Sequence, residues 1–372
     1  MIRAVYHAVS SEPEKLARAI AIEQTVEVPE SLIDARTDRE FVGKVRGIDR
    51  LPDGRFALRI DYGADLVHGL PDLLSLTYGN VSMMEGVRLA ELSLPPEVLA
   101  RFKGPNFGGA GVRELLGVHG RPLLCTVLKP RGASDAHFAR IAEEFALAGG
   151  DLVKEDNNLL DAVPETSERR IALCAEAVRR ANERTGRNCL YLANACFPIG
   201  RLERHVAAAL RAGARGILVP PLLLGIDVVR DLAERHRLVV MAHPAFTGTF
   251  FEDRRHGIEP GILMGTILRL AGIDITIFVN HGGRFNYRPA ECMSVAAALR
   301  APLGNIRPAL PAPAGGMTLE RVDEMAREYG AEAVLVFGGA LLGGLWGVGK
   351  ATEAFLGKLR ALFPERLSPP RS

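Results

Sequence analysis

The sequence predicts an α/β protein: a C-terminal (β/α)8 TIM barrel preceded by a ferredoxin-like α+β N-terminal domain. Three observations carry this. After residue 110, eight short apolar runs alternate with amphipathic segments of helix length. Their starts lie about 22 to 38 residues apart, enough for every crossover to hold a helix. Before residue 110 the order is different, β-α-β-β-α-β, as in a ferredoxin-like sandwich.

The N-terminal elements follow from local signals. Ile2–Val9 is a β-rich run, and Ser11 or Glu12 opens a helix through Leu16 and Ile20, with Pro13 in its first turn. Lys44–Ile48 and Arg55–Tyr62 alternate in polarity around Pro52-Asp53-Gly54, a hairpin signal. Leu70–Leu76 is a short helix and Val87–Leu92 the last strand. The segment Lys103–Gly109, rich in glycine and proline, reads as the linker and sets the domains at 1–110 and 111–372.

The eight barrel strands are expected at Leu123–Leu128, Asp151–Lys154, Cys189–Asn194, Gly216–Val219, Leu238–Ala242, Asp274–Val279, Ile306–Leu310 and Ala333–Phe337. Helices such as Glu168–Glu183, Leu202–Ala212 and Leu319–Tyr329 lie between them, several ending at glycine. Continuous apolar strands fit a parallel sheet covered on both faces. Eight units favour a closed barrel over an unusually wide open sheet.

Composition narrows the function. A net charge of +2 gives no footprint for nucleic acid or an anionic membrane. Nothing resembles a secretory leader or an uninterrupted apolar span. Five scattered cysteines without a CxxC pair suggest reduced thiols in a cytoplasmic protein.

In such barrels, reactive groups lie just beyond the strands. Those positions hold Lys129, then Lys154-Glu155-Asp156-Asn157, Asn194, His243-Pro244, Asn280-His281-Gly282-Gly283-Arg284, Gly315-Gly316 and Gly338-Gly339. Lysine at the end of a buried strand is costly unless paired or modified, so Lys154 carries more weight than a lone histidine. A lysine there serves as a base or steadies an enolate, and Asp156 offers hard oxygen to Mg²⁺. Paired glycines after the last two strands let backbone N–H groups approach a phosphate. His205 and His236, on expected helices, read as surface groups. The chemistry indicated is proton transfer beside the carbonyl of a phosphorylated substrate.

These residues resemble a known family. GRPLLCTVLKPRG (Gly120–Gly132), AGGDLVKEDNN (Ala148–Asn158) and YGNVSMMEGVRLAELSLPPE (Tyr78–Glu97) are similar to motifs of the RuBisCO large subunit, and more closely to those of RuBisCO-like proteins that do not fix CO2. The resemblance implies a catalytic lysine at Lys129. It also implies a Mg²⁺ site at Lys154, Asp156 and Asn157, with Lys154 carbamylated by CO2. Glu23 and Asn80 match residues that reach a neighbouring subunit's barrel, implying a homodimer with shared sites. His243 and Arg284 match substrate-orienting positions. Gly315, Gly316, Gly338 and Gly339 match one phosphate site.

The departures from the family pattern are also specific. Asn157 replaces a metal carboxylate and removes one negative charge. Pro244 replaces an arginine that holds the second phosphate, Ala314 replaces a serine, and Arg284 stands at a mobile-loop lysine. The expected activity is Mg²⁺-assisted enolisation, isomerisation or decarboxylation of a singly phosphorylated sugar-derived keto compound, with a sugar-acid decarboxylation favoured. The alternatives are a methionine-salvage enolase or isomerase acting on a methylthio-ketose phosphate, and a non-catalytic regulatory homologue.

Overall fold

The structure is a computed structural model and describes residues 1–283, 285–342 and 347–364. The N-terminal sheet holds β1 (Ile2–Ala8), β2 (Lys44–Arg50), β3 (Phe56–Tyr62) and β4 (Val87–Ser93). They lie antiparallel in the order β4-β1-β3-β2, the ferredoxin-like arrangement. The helices Pro13–Glu23 and Leu70–Tyr78 bury Ala17, Ile20, Leu70 and Leu73 in the shared core. Two buried tyrosines fasten this layer. The Tyr6 hydroxyl lies 3.1 Å from that of Tyr62 and 2.7 Å from the Thr77 carbonyl oxygen.

The second sheet has eight parallel strands: β5 (Leu123–Leu128), β6 (Leu152–Glu155), β7 (Leu190–Asn194), β8 (Gly216–Val219), β9 (Val239–Ala242), β11 (Ile275–Val279), β12 (Leu310–Ala314) and β13 (Val334–Phe337). β10 (Gly257–Ile258) leaves the barrel and adds a parallel edge to β4. Arg88 fastens that excursion by donating to the Asp253 and His256 carbonyls and to Glu259.

One expected strand is displaced. The seventh barrel strand runs over Leu310–Ala314, not Ile306–Leu310. Its sequence, LPAPA, contains two prolines, which lack the N–H that a central strand ordinarily uses. The pairing shows why they are tolerated. Leu310 donates to Asp274 and Ala314 accepts from Asn280, so the even positions of β12 bond toward β11. Pro311 and Pro313 turn their nitrogens toward β13. The ladder runs from β12 round to β13, and among the described residues no rung joins those two strands.

Strand alternation places the chemistry. Leu123, Cys125 and Val127 of β5, Leu152 of β6, Val239 and Met241 of β9, and Val334 and Val336 of β13 fill one inner core cluster. Continuing the rows in steps of two residues gives Lys129, then Lys154 and Asp156, His243 and Gly338. At the opposite end, two buried carboxylates collect backbone donors. Asp151 accepts from Leu124 N–H and both arms of Arg121. Asp274 accepts from Phe107, Gly108 and Val240, which ties the linker to the floor of the barrel.

Candidate active site

The extended inner rows open into a cavity of about 820 Å³ lined by Lys129, Lys154, Asp156, Asn157, His243 and both glycine pairs, together with residues the sequence reading did not single out. Nine expected barrel residues therefore meet: Lys129, Lys154, Asp156, Asn157, His243, Gly315, Gly316, Gly338 and Gly339. Arg284 lies outside the described residues.

Lys129 is half-buried, and its Nζ lies 2.8 Å from Asp156 Oδ2. Burial alone would raise the Asp156 pKa. Lys129, the backbone N–H of Asn158 at 2.9 Å and the charge of Lys154 together hold it below the ordinary carboxylate value. Lys154 is 3 % exposed and its Nζ donates to the Glu155 carbonyl at 3.2 Å. Burial, with a contribution from the Lys129 charge, pulls its pKa down to about 8. His243 is pulled down to about 3, chiefly by burial and then by Lys154. Its Nδ1 accepts from Ala245 N–H at 3.2 Å, so the neutral ring carries its proton on Nε2.

The glycine turns differ in kind. Gly315 and Gly316 both have positive φ, 85° and 70°, where a side chain would be strained. At Gly338 and Gly339 a Cβ would meet nothing within 4 Å, so backbone lines the cavity there without steric cover.

The other expectations fall elsewhere. Glu23 and Asn80 meet each other, Asn80 Nδ2 to Glu23 Oε1 at 2.9 Å, and neither lines their own chain's barrel cavity. His281 turns away from the cavity to Glu328, at 2.9 Å. His205 is 2 % exposed, stacked on Phe197 and 2.7 Å from Ser167 Oγ. The expectation of a surface group fails there because the helix Ile199–Arg211 turns that position toward its neighbour Pro164–Thr185. Thr247, Tyr287 and Phe246 also line the cavity and were missed, since they lie in loops beyond the strand ends. Phe246 combines φ 72° with high exposure, which no sequence pattern announces.

Among the described residues, one set of three His, Asp, Glu or Cys ligand atoms is close enough to share an ion: His281, Glu324 and Glu328. It lies outside the cavity, and Arg321 already bonds both Glu324 oxygens. In the cavity, Asp156 and Asn157 offer hard oxygens of the kind Mg²⁺ takes, while an unmodified Lys154 offers none. A carbamate on Lys154 would add anionic oxygens, a donor chemistry of the kind Mg²⁺ takes.

Side chains from strands far apart in sequence converge only at the carboxyl rim, which is how a (β/α)8-barrel enzyme is organised. Comparison with known proteins gives the family. Residues 109–362 match the catalytic domain of the ribulose bisphosphate carboxylase large chain, and the chain belongs to that family. It is a RuBisCO-like protein, in a superfamily of enzymes. The chain is 34 % identical over 344 residues to ribulose bisphosphate carboxylase-like protein 1 of Rhodopseudomonas palustris, covering 91 % of this chain and 92 % of that one. It is 33 % identical over 361 residues to the 5-methylthioribulose-1-phosphate isomerase of Rhodospirillum rubrum, covering 95 % of each. The crystal structure of a Rubisco-like protein from Rhodopseudomonas palustris matches with a TM-score of 0.87 at 34 % identity, over 98 % of this chain and 99 % of that one.

Proposed function

We propose that this protein is a non-carboxylating enzyme that moves a proton beside the carbonyl of a singly phosphorylated, sugar-derived keto compound. The outcome is enolisation, isomerisation or decarboxylation. The observation that carries the reading is the Lys129–Asp156 pair at 2.8 Å, with Lys154 and His243 on the same cavity wall. Lys129, as the neutral amine, is the base that takes the substrate proton, and the ammonium so formed is the cation beside the enolate, paired with Asp156. His243 donates from Nε2 to a substrate oxygen and stays neutral while doing so. Gly315, Gly316, Gly338 and Gly339 give the phosphate backbone N–H groups. Mg²⁺, held by a Lys154 carbamate, Asp156 and Asn157, would polarise the carbonyl.

Lys129 and Lys154 are the only cations among the described lining residues, and Pro244, Phe246 and Tyr287 line the same cavity. That supports one phosphate over two. The named isomerase relative, similar over nearly its whole length, favours a methylthio-ketose phosphate as a second reading beside the sugar acid. Five unpaired cysteines, four of them buried, support a cytoplasmic setting. The Glu23–Asn80 pair, outside its own chain's cavity, supports a homodimer in which each N-terminal domain completes the partner's site.

The test is direct. 5-Methylthioribulose 1-phosphate and a 3-keto sugar-acid phosphate are incubated with the protein in D2O, and deuterium uptake and CO2 release are followed. Wild type is expected to exchange or decarboxylate one of them. Lys129→Met is expected to lose on the order of 10²-fold or more. Equal turnover by wild type and Lys129→Met would remove Lys129 from the mechanism.

A further inference from the structure

We propose that a buried ion triad, Glu155–Arg170–Asp161, positions Asp156 and Asn157, so that Arg170 and Asp161 are positioning residues of the site. The alternation that turns Lys154 and Asp156 inward turns Glu155 outward, against the helix Pro164–Thr185. Glu155 is 0 % exposed and both of its oxygens are engaged. Oε1 accepts from Arg170 Nε at 2.6 Å, and Oε2 accepts from the backbone N–H of Asn194 at 2.8 Å. Arg170 then reaches past the strand end: its Nη1 lies 2.5 Å from Asp161 Oδ2, and Nη2 points to the Leu159 carbonyl at 3.5 Å. Asn194, at the end of β7, holds the same segment from the other side, its Nδ2 reaching the carbonyls of Asn157 and Leu159 at 3.4 and 3.3 Å.

The stretch from Asp156 to Asp161 is thus a ledge fixed at both ends by groups that never enter the cavity. A buried guanidinium between two carboxylates is geometrically demanding, because a misplaced partner leaves a charge unpaired in the interior. That demand transmits rigidity to Asp156, whose side chain, among the described residues, is otherwise held by Lys129, the N–H of Asn158 and the charge of Lys154. Tyr191 and Cys174 also face Glu155, and neither brings a charge that could replace Arg170. The inference rests on the proposed function, in which Asp156 serves the reaction; an Asp156→Asn protein in the D2O exchange and CO2-release assay tests that separately.

Lys129 reports the position of Asp156 without any metal or substrate. The full-length protein is labelled with a low dose of acetic anhydride, and the rate at each lysine is read by mass spectrometry. Asp161→Asn and Arg170→Lys are expected to raise labelling of Lys129 about threefold or more, relative to exposed Lys15 and Lys103, as its partner loosens. Asp161→Asn, at a partly exposed position, leaves the Glu155–Arg170 pair in place and is expected to stay folded at the labelling temperature, with a lowered melting temperature. Arg204→Lys, which perturbs exposed pairs with Glu165 and Glu168, should leave Lys129 unchanged. If Lys129 is labelled at the wild-type rate in Asp161→Asn, the positioning role is wrong, whether or not Arg170→Lys folds.

Discussion

Lys154 shows what burying a single charged residue costs in stability. An exposed lysine titrates near 10.5, whereas this one is pulled down to about 8 by burial. Between those values the unfolded chain binds more protons than the folded one, so stability rises with pH through that window. Below about pH 8 the full cost is present, on the order of 3 kcal/mol for a shift of this size. Lys154→Met is therefore expected to be more stable than wild type at pH 7 in CO2-free buffer, by about 1–3 kcal/mol in urea unfolding. The gain should shrink as pH climbs above 8; a Lys154→Met protein less stable than wild type would contradict the burial argument. His243 leads to a second expectation. With its pKa near 3, the ring stays neutral from pH 5 to 8, and its carbon-bound proton resonances should not shift over that range.

Among the elements, the linker and the displaced strand are the most instructive. Asp274 begins β11's approach and accepts three backbone N–H groups, two of them from Phe107 and Gly108 in the linker. Burial still raises its pKa to about 6. The folded state then holds the proton more tightly than the unfolded one, so stability falls as pH rises from about 4 to 6 and levels above. Asp274→Ala should abolish that slope and cost about 2–4 kcal/mol at neutral pH by stranding the three donors. Thermal melts across pH 4 to 8 would show both effects, and an unchanged slope would remove Asp274 as their source. Seven barrel strands were legible because each is a short apolar run between turn signals. The seventh in order was not, because Pro311 and Pro313 are poor strand residues until one knows which way their nitrogens face. β10 was also illegible: two residues, Gly257 and Ile258, form an edge only because β4 lies beside them.

At the scale of the molecule, the lining of the candidate site was largely legible in the strand ends, because strand alternation brings those positions to one cavity wall. What the sequence could not convey was tertiary orientation. His281 and His243 follow strands in the same way, yet one pairs with Glu328 and the other lines the cavity. The proposed homodimer yields its own prediction. Equal mixtures of Lys129→Met with Glu23→Ala, unfolded and refolded together, should regain about a quarter of wild-type activity if each site draws on both subunits. Each parent should be nearly inactive alone. No recovery, in mixtures shown by sedimentation to contain mixed dimers, would confine each site to one chain.

The missing rung between β12 and β13 has a mechanical meaning. The two glycine turns that follow these strands stand on opposite banks of the one seam where the described barrel wall is held by side-chain packing alone. Widening the mouth along that line breaks no backbone ladder, whereas widening it between any other pair of strands does. A phosphate gripped by both banks would bridge the gap like a clasp, and its departure would free the two edges to part.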